Sequence, residues 1–348
     1  MSVDLSERDA DLLLARARRG DRDAFGHLSE AHRRGLQLHC YQMTGSLHDA
    51  EDVVQETLLR AWRRLDGFEQ RGPFRGWLQR IATNACLDQL ERRPRRVLPE
   101  ALGGPAEPTL RPGAPAEVPW LEPYPDTLLD GLPDRAPGPE ARYELRESVE
   151  LAFVAAIQYL QPRQRAVLLL REVLGWPAAD VAASLGTSVA SVNSLLQRAR
   201  RALETRRPEQ RWQDRPSGEL AEAERHLLAR FVRAWESADL DSLARLLRED
   251  AVMSMPPQPE WYAGRDAAIA FLAAIPFGPE GLAPFRVLPT RANGQAACGL
   301  YPRAPDGGGF QAMALAVLTI QDGLIGQITG FVDPALLPRF GLPERVDA

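Results

Sequence analysis

The chain has 348 residues and a formal net charge of -5, too long for one small domain, with the 45% hydrophobic and 26% charged composition of ordinary globular protein. No apolar run approaches the roughly 20 residues that cross a bilayer, and the first residues lack the basic start and apolar core of a secretory signal, so a cytoplasmic protein without membrane contact is expected. Cys40, Cys86 and Cys298 are too widely separated for a disulfide framework or a paired-cysteine metal site, so neither metal nor cofactor is expected.

Residues 1–96 read as helices. Between Asp49 and Leu65, Ala50, Val53, Val54, Thr57, Leu58, Ala61, Trp62 and Leu65 recur at three and four, which predicts one buried helical face. Acids open this helix and arginines close it, matching the macrodipole at both ends. Asp49, Asp52 and Glu56 form an acidic stripe with Gln55 alongside; taken alone, such a stripe is a solvated face. After a break at Gly67–Pro73, a second helix runs from Phe74 to about Glu91. Here Phe68, Phe74 and Trp77 mingle with Arg71, Arg75 and Arg80. Aromatic rings can stack on unpaired bases while arginines hold the backbone, although aromatics at this spacing also build cores.

Residues 97–140 are rich in Pro, Gly and Ala, with acids outnumbering arginines. Prolines this dense forbid a regular helix, so an extended linker is predicted. Trp120, Leu121 and Tyr124 are unusual in a passive spacer and point to docking on another surface. Helical periodicity returns from about Ala141 and covers 141–207. Gln161 and Pro162 start one helix, Pro177 opens a short second one, and Thr187 or Ser188 caps a third after Gly186. Ala182, Gly186 and Val192 have helix-turn-helix spacing. The third helix presents Ser191, Ser194, Arg198 and Arg201 outward with Asn193, Gln197 and Arg200 flanking, short polar groups first and arginines later, as a major-groove reader requires. The alternative is a solvated helical hairpin.

A polar linker at 208–220 leads into residues 221–348, where two helices near Leu220–Ser237 and Leu240–Leu247 precede strand-like runs such as FRVLPT and AACGLY. This module is α+β.

Three stretches occur in order: DAEDVVQETLLRAW at 49–62, FRGWLQRIATNACLDQLERR at 74–93 and LQPRQRAVLLLREVLGWPAADVAASLGTSVASVNSLLQRARRAL at 160–203. Together they resemble the sigma-70 family, of the extracytoplasmic-function type that keeps only regions 2 and 4. The resemblance implies two all-α sigma domains, a region 2 bundle and a region 4 helix-turn-helix, whose partners are core RNA polymerase and promoter DNA. It places Asp49, Asp52, Gln55 and Glu56 on the polymerase-binding helix, Phe68, Arg71, Arg75, Arg80 and Asn84 at the minus-10 element, and the Ser188–Arg201 helix at the minus-35 element. By the same analogy the linker threads toward the polymerase active-site cleft and RNA exit channel.

The C-terminal stretch EDAVMSMPPQPEWYAGRDAA at 249–268, followed by NGQAACGLY at 293–301, is similar to SnoaL-like domains, implying a cone with a curved sheet. Met253, Met255, Trp261, Tyr262, Phe271 and Phe310 are candidate pocket-lining residues, with a filled core as the alternative role for most of them, and a small-molecule ligand or an anti-sigma protein would be a further partner. No histidine follows His226, and neither Asp322 nor Asp333 is well placed as a base, so catalysis is not expected. The competing readings are a stand-alone helix-turn-helix regulator and a cyclase fused to a DNA-binding domain.

Overall fold

The computed structural model describes residues 7–68, 73–91, 93–108, 112–129, 148–204 and 219–347. The chain divides into two units. Unit 1 comprises Met1–Arg96 and Leu128–Trp212; unit 2 comprises Val97–Thr127 and Gln213–Ala348.

Unit 1 is helical. α1 (Glu7–Ala17), α2 (Arg22–Thr44), α3 (Leu47–Arg63) and α4 (Phe74–Leu90) follow one another. Side chains make the sharp starts: Asp21 accepts from the Ala24 N–H at 3.0 Å and Ser46 from the Asp49 N–H at 3.1 Å, each satisfying an otherwise orphaned helix donor. The periodic apolar positions of α3, Ala50, Val53, Val54 and Ala61, are buried. They pack with Leu36, Cys40 and Met43 of α2 and Leu78, Ala82 and Cys86 of α4. His39, buried among them, meets the Thr83 hydroxyl at 2.9 Å, and burial pushes its pKa down to about 4, so the ring is neutral at pH 7.

The second half of unit 1 holds α5 (Leu151–Ile157), α6 (Pro162–Leu168), α7 (Ala178–Ser184) and α8 (Val189–Glu204), with a π turn at Leu169–Val173. α6 opens with proline and a reciprocal capping box between Gln161 and Gln164. Gly186 sits between α7 and α8 at φ 60°, a left-handed turn that a β-carbon would strain. The helical segment expected from Ala141 lies in part, at 141–147, outside the described residues.

Unit 2 is α+β. α9 (Glu219–Glu236) and α10 (Leu240–Leu246) precede β1 (Leu247–Ser254) and β2 (Trp261–Ala263). α11 (Arg265–Ala274) follows, then β3 (Phe285–Ala292), β4 (Gln295–Pro302), β5 (Phe310–Gln311), β6 (Ala314–Gln321), β7 (Leu324–Phe331) and β8 (Arg345–Val346). The main sheet has the order β2-β1-β7-β6-β4-β3, antiparallel except where β1 lies parallel to β7. Alternation along the strands puts Met253, Cys298, Leu300, Ala316, Leu318 and Ile328 on one face. Against that face pack Phe231 and Trp235 of α9, Leu243 and Leu246 of α10 and Phe271 and Leu272 of α11.

The opposite face is covered by the chain's C-terminal segment and by the linker. At Gly299 an added β-carbon would come within 2.8 Å of Leu342, so glycine there admits the C-terminal segment. The linker predicted for 97–140 has no regular α-helix among its described residues, and those up to Thr127 belong to unit 2. Ala106 N–H donates to the Trp261 carbonyl at 2.7 Å, and Ala116 N–H to that of Pro257 at 3.0 Å. Asp126 accepts from the Gly294 N–H at 2.7 Å and pairs with Arg291 at 3.0 Å. Prolines remove the linker's own ladder hydrogen bonds, so its remaining backbone groups find partners on the neighbouring sheet edge and turns. Leu121 and Tyr124 are fully buried, which answers the docking signal read in those residues.

Candidate nucleic-acid interface

On α3, Asp52 and Gln55 are exposed and Glu56 is half-exposed. Glu56 pairs with Arg60 at 2.7 Å, and Arg60 also reaches Asp88 on α4 at 2.8 Å. These exposed acids form an accessible ridge. Asp49 differs from the surface position expected of it. Its carboxylate is buried and bridged by Arg93 and, at 2.6 Å, by Arg96, so it fastens the chain leaving α4 to the start of α3. Periodicity placed Asp49 on the stripe, but a helix's first turn faces whatever chain passes its N-terminus.

The aromatic–arginine segment also sorts into two kinds of residue. Phe68 is buried, with its ring 5.5 Å from Phe74 and 5.1 Å from Trp77, and Phe25 meets Trp62 at 5.3 Å. The Phe68 ring therefore belongs to a packed aromatic cluster rather than to a free stacking platform. Arg75 is half-buried, and desolvation lowers its pKa. Arg80 is exposed, and Asn84 is half-exposed with Nδ2 donating to the Arg80 carbonyl at 3.0 Å. Arg71 lies outside the described residues.

α8 keeps the arrangement read from its sequence. Val192, Leu196 and Ala199 are buried, while Ser188, Asn193, Ser194, Gln197, Arg198 and Arg201 are exposed and Ser191 is half-exposed. Ser188 Oγ accepts from the Ser191 N–H at 3.1 Å, capping the helix. Arg200, which flanks this face, is drawn aside by Glu172, to which its Nε donates at 3.1 Å. The outer side of α8 thus offers short polar groups at its N-terminal end and guanidiniums further on.

In unit 2, Met253, Tyr262 and Phe271 meet inside the core, with Tyr262 stacked on Phe271 at 4.4 Å, and Met255 packs at its margin. Trp261 points to the other face, where its indole donates to the Gly103 carbonyl at 2.9 Å. Phe310 lies under Arg286, 5.3 Å from its ring centroid. The six candidate pocket residues therefore do not line one space. Among the described residues of the core cluster, the titratable groups are Tyr262 and Cys298, both pushed up to about 12 by burial. Neither can exchange a proton readily at neutral pH. Asp322 pairs with Arg248 at 3.0 Å, and Asp333 caps the turn at Pro334–Phe340.

Sequence reasoning missed Arg93, Arg96 and Arg165. For Arg165 a signal existed: it shares a helical face with Leu168 and Leu169, three and four residues on, where an exposed arginine would be out of place.

Residues 28–96 match the Sigma-70 region 2 family, 150–203 the Sigma-70 region 4 family, and 228–328 the SnoaL-like domain. The chain is 46% identical to the ECF RNA polymerase sigma factor SigG of Mycobacterium tuberculosis, over 94% of this chain and 86% of that one. It is 29% identical to SigJ of the same organism, over 91% and 94%. The crystal structure of SigJ has the same fold, with a TM-score of 0.56 at 23% identity over 91% of this chain and 98% of that one. No helix among the described residues is long and apolar enough to cross a membrane. With both sigma regions in order, a SnoaL-like domain behind them and near-full-length identity to SigG, this chain belongs to the extracytoplasmic-function sigma factors of the sigma-70 family.

Proposed function

We propose that the chain binds core RNA polymerase through the α3 ridge of Asp52, Gln55 and Glu56, and reads a bipartite promoter through Arg75, Arg80 and Asn84 on α4 and the outer face of α8. Asp49 and Phe68 support these surfaces from beneath. The observation that carries the reading is α8: a capped helix after a left-handed glycine turn, presenting Ser191, Ser194, Arg198 and Arg201 away from its buried face. Phosphates and guanine edges are the natural acceptors for its guanidiniums, and the serines fit close to base edges. Unit 2 acts as a modulator without catalysis. In support, it holds residues 97–127 of the segment that connects the two promoter-reading regions.

Run-off transcription with purified core polymerase on a promoter library tests this, using the full chain and a truncation ending near Arg207. Promoter-dependent initiation that changes when unit 2 is removed is expected. Absence of any start-site selection by the full chain would refute the sigma reading, and identical behaviour of the truncation would refute modulation alone.

A further inference from the structure

α9 has two distinct faces. Leu227, Leu228, Phe231, Ala234 and Trp235 are buried in the core of unit 2. The other side carries Arg225, His226, Arg230 and Arg233, all exposed, since residues spaced by three, four, seven and eight share one side of a helix. Among the described residues none of these three arginines has an ion pair or a side-chain hydrogen bond. Arg16, Arg33, Arg60, Arg248 and Arg291, by contrast, each hold a carboxylate.

A helical face that serves only to meet water ordinarily interleaves opposite charges at three and four. Here Arg230 and Arg233 are three apart and repel, and the nearest acid beyond them, Glu236, already accepts from the Val287 N–H at 3.0 Å. Glu222 and Glu224 stand before the arginines, where a helix N-terminus favours acids, and neither lies three or four residues from Arg230 or Arg233. Arg233, in the last turn, complements the helix C-terminus. That effect fades within one turn, so Arg225 and Arg230 gain little from it. An external anion would relieve the repulsion that the helix itself leaves standing.

Spacing and composition identify the anion. From Arg225 to Arg233 the helix rises about 12 Å at 1.5 Å per residue, the rise of roughly three or four phosphates along one DNA strand. Unlike α8, this face sets no Ser, Asn or Gln among its arginines, and Ala229 stands between them. Such a face can grip a backbone without reading bases. α9 is also the next helix after α8 among the described residues. Fourteen residues separate Glu204 from Glu219, a tether that spans at most roughly 50 Å, or about 15 base pairs.

We propose that Arg225, Arg230 and Arg233 of α9 bind the phosphate backbone of duplex DNA flanking the minus-35 element, on the side away from minus-10, as a sequence-independent anchor. The inference rests on the promoter-recognition reading above, which gives the minus-10 side to region 2. A second contact tethered to the first acts at high effective concentration, so even a weak one tightens the whole. Promoter occupancy then depends on the DNA beside the element as well as on the element, which gives unit 2 a physical means of modulating initiation.

The test uses holoenzyme assembled from the full chain and core polymerase on two promoter fragments. One ends at the outer edge of the minus-35 element, and the other continues for the length the tether can reach. One variant combines Arg225→Gln, Arg230→Gln and Arg233→Gln; a second combines Arg225→Lys, Arg230→Lys and Arg233→Lys. The three positions are exposed, so both variants are expected to keep the unfolding transition of unit 2. Wild type is expected to bind the longer fragment about tenfold more tightly at low salt, with a log–log salt slope steeper by roughly 2 to 3, about one counterion for each phosphate held. The glutamine variant should lose both differences while matching wild type on the shorter fragment. The lysine variant should keep them, because a phosphate accepts either cation. Equal wild-type affinity and slope on the two fragments overturns the anchor. So does a glutamine variant that keeps the longer fragment's advantage, or one that weakens on both fragments alike, which would place these arginines against polymerase instead. Loss in the lysine variant, or an advantage that vanishes when the flanking sequence is scrambled, overturns the backbone contact. Failure of wild-type holoenzyme to bind either fragment strikes the promoter reading itself.

Discussion

Asp49 is a carboxylate that the family resemblance assigns to the docking helix and that the fold buries. It is shut from solvent between Arg93 and Arg96, and its neighbours on the ridge, Asp52 and Gln55, are exposed. Removing one partner of a buried ion pair leaves the other charge uncompensated. Asp49→Asn is therefore expected to cost about 2–4 kcal/mol in urea unfolding of the full chain. Below the melting temperature, its affinity for core polymerase should fall less than that of Asp52→Ala or Glu56→Ala. A larger loss of affinity in Asp49→Asn than in those variants, with stability unchanged, would return Asp49 to the docking surface. Glu100 illustrates the reverse case, a linker acid drawn inward. Burial raises its pKa, and the pull is partly offset by its backbone N–H and by Gln327, whose amide donates at 2.9 Å.

At the scale of elements, α8 separates the residues proposed to read DNA from those that pack. Arg198 and Ser194 face outward beyond the buried Val192, Leu196 and Ala199. Arg198→Ala is expected to cost about 1–3 kcal/mol in promoter affinity if it contacts a base edge, and to relax preference at one minus-35 position. If it contacts only phosphate, it should weaken all promoters alike and flatten the salt dependence. Titration against single-base variants of the minus-35 element decides between these, and no loss on any of them would remove Arg198 from the interface. The boundaries of α6, α7 and α8 were legible because each start has a side-chain cap or proline and the central turn a left-handed glycine. α11 was not read from sequence, because its run DAAIAFLAA is apolar on most sides and offers little contrast between faces.

For the whole molecule, the linker decides how the parts are divided. Val97, Leu98, Leu121 and Tyr124 are buried, and residues up to Thr127 belong with the C-terminal fold. Replacing 97–127 by a Gly/Ser chain of equal length should therefore destabilise unit 2, by an upper estimate on the order of 5 kcal/mol from the lost apolar burial. It should also alter initiation. Calorimetry showing an unchanged unit 2 transition would mean that the linker is only a passenger on that surface.

The sequence alone determined the order of the parts, because helical periodicity, proline and glycine punctuation and helix caps are local properties written within a few residues. It also determined the outward face of α8, since a helix with one apolar stripe can turn only one side to the core. Tertiary structure alone decided where charges and rings came to rest. Asp49 went inward to two arginines more than forty residues away, Phe68 joined an aromatic cluster, the linker joined unit 2, and Arg165 found the ends of two helices. These outcomes depend on contacts between residues distant in the chain, and no local pattern records which segment will pass a given side chain.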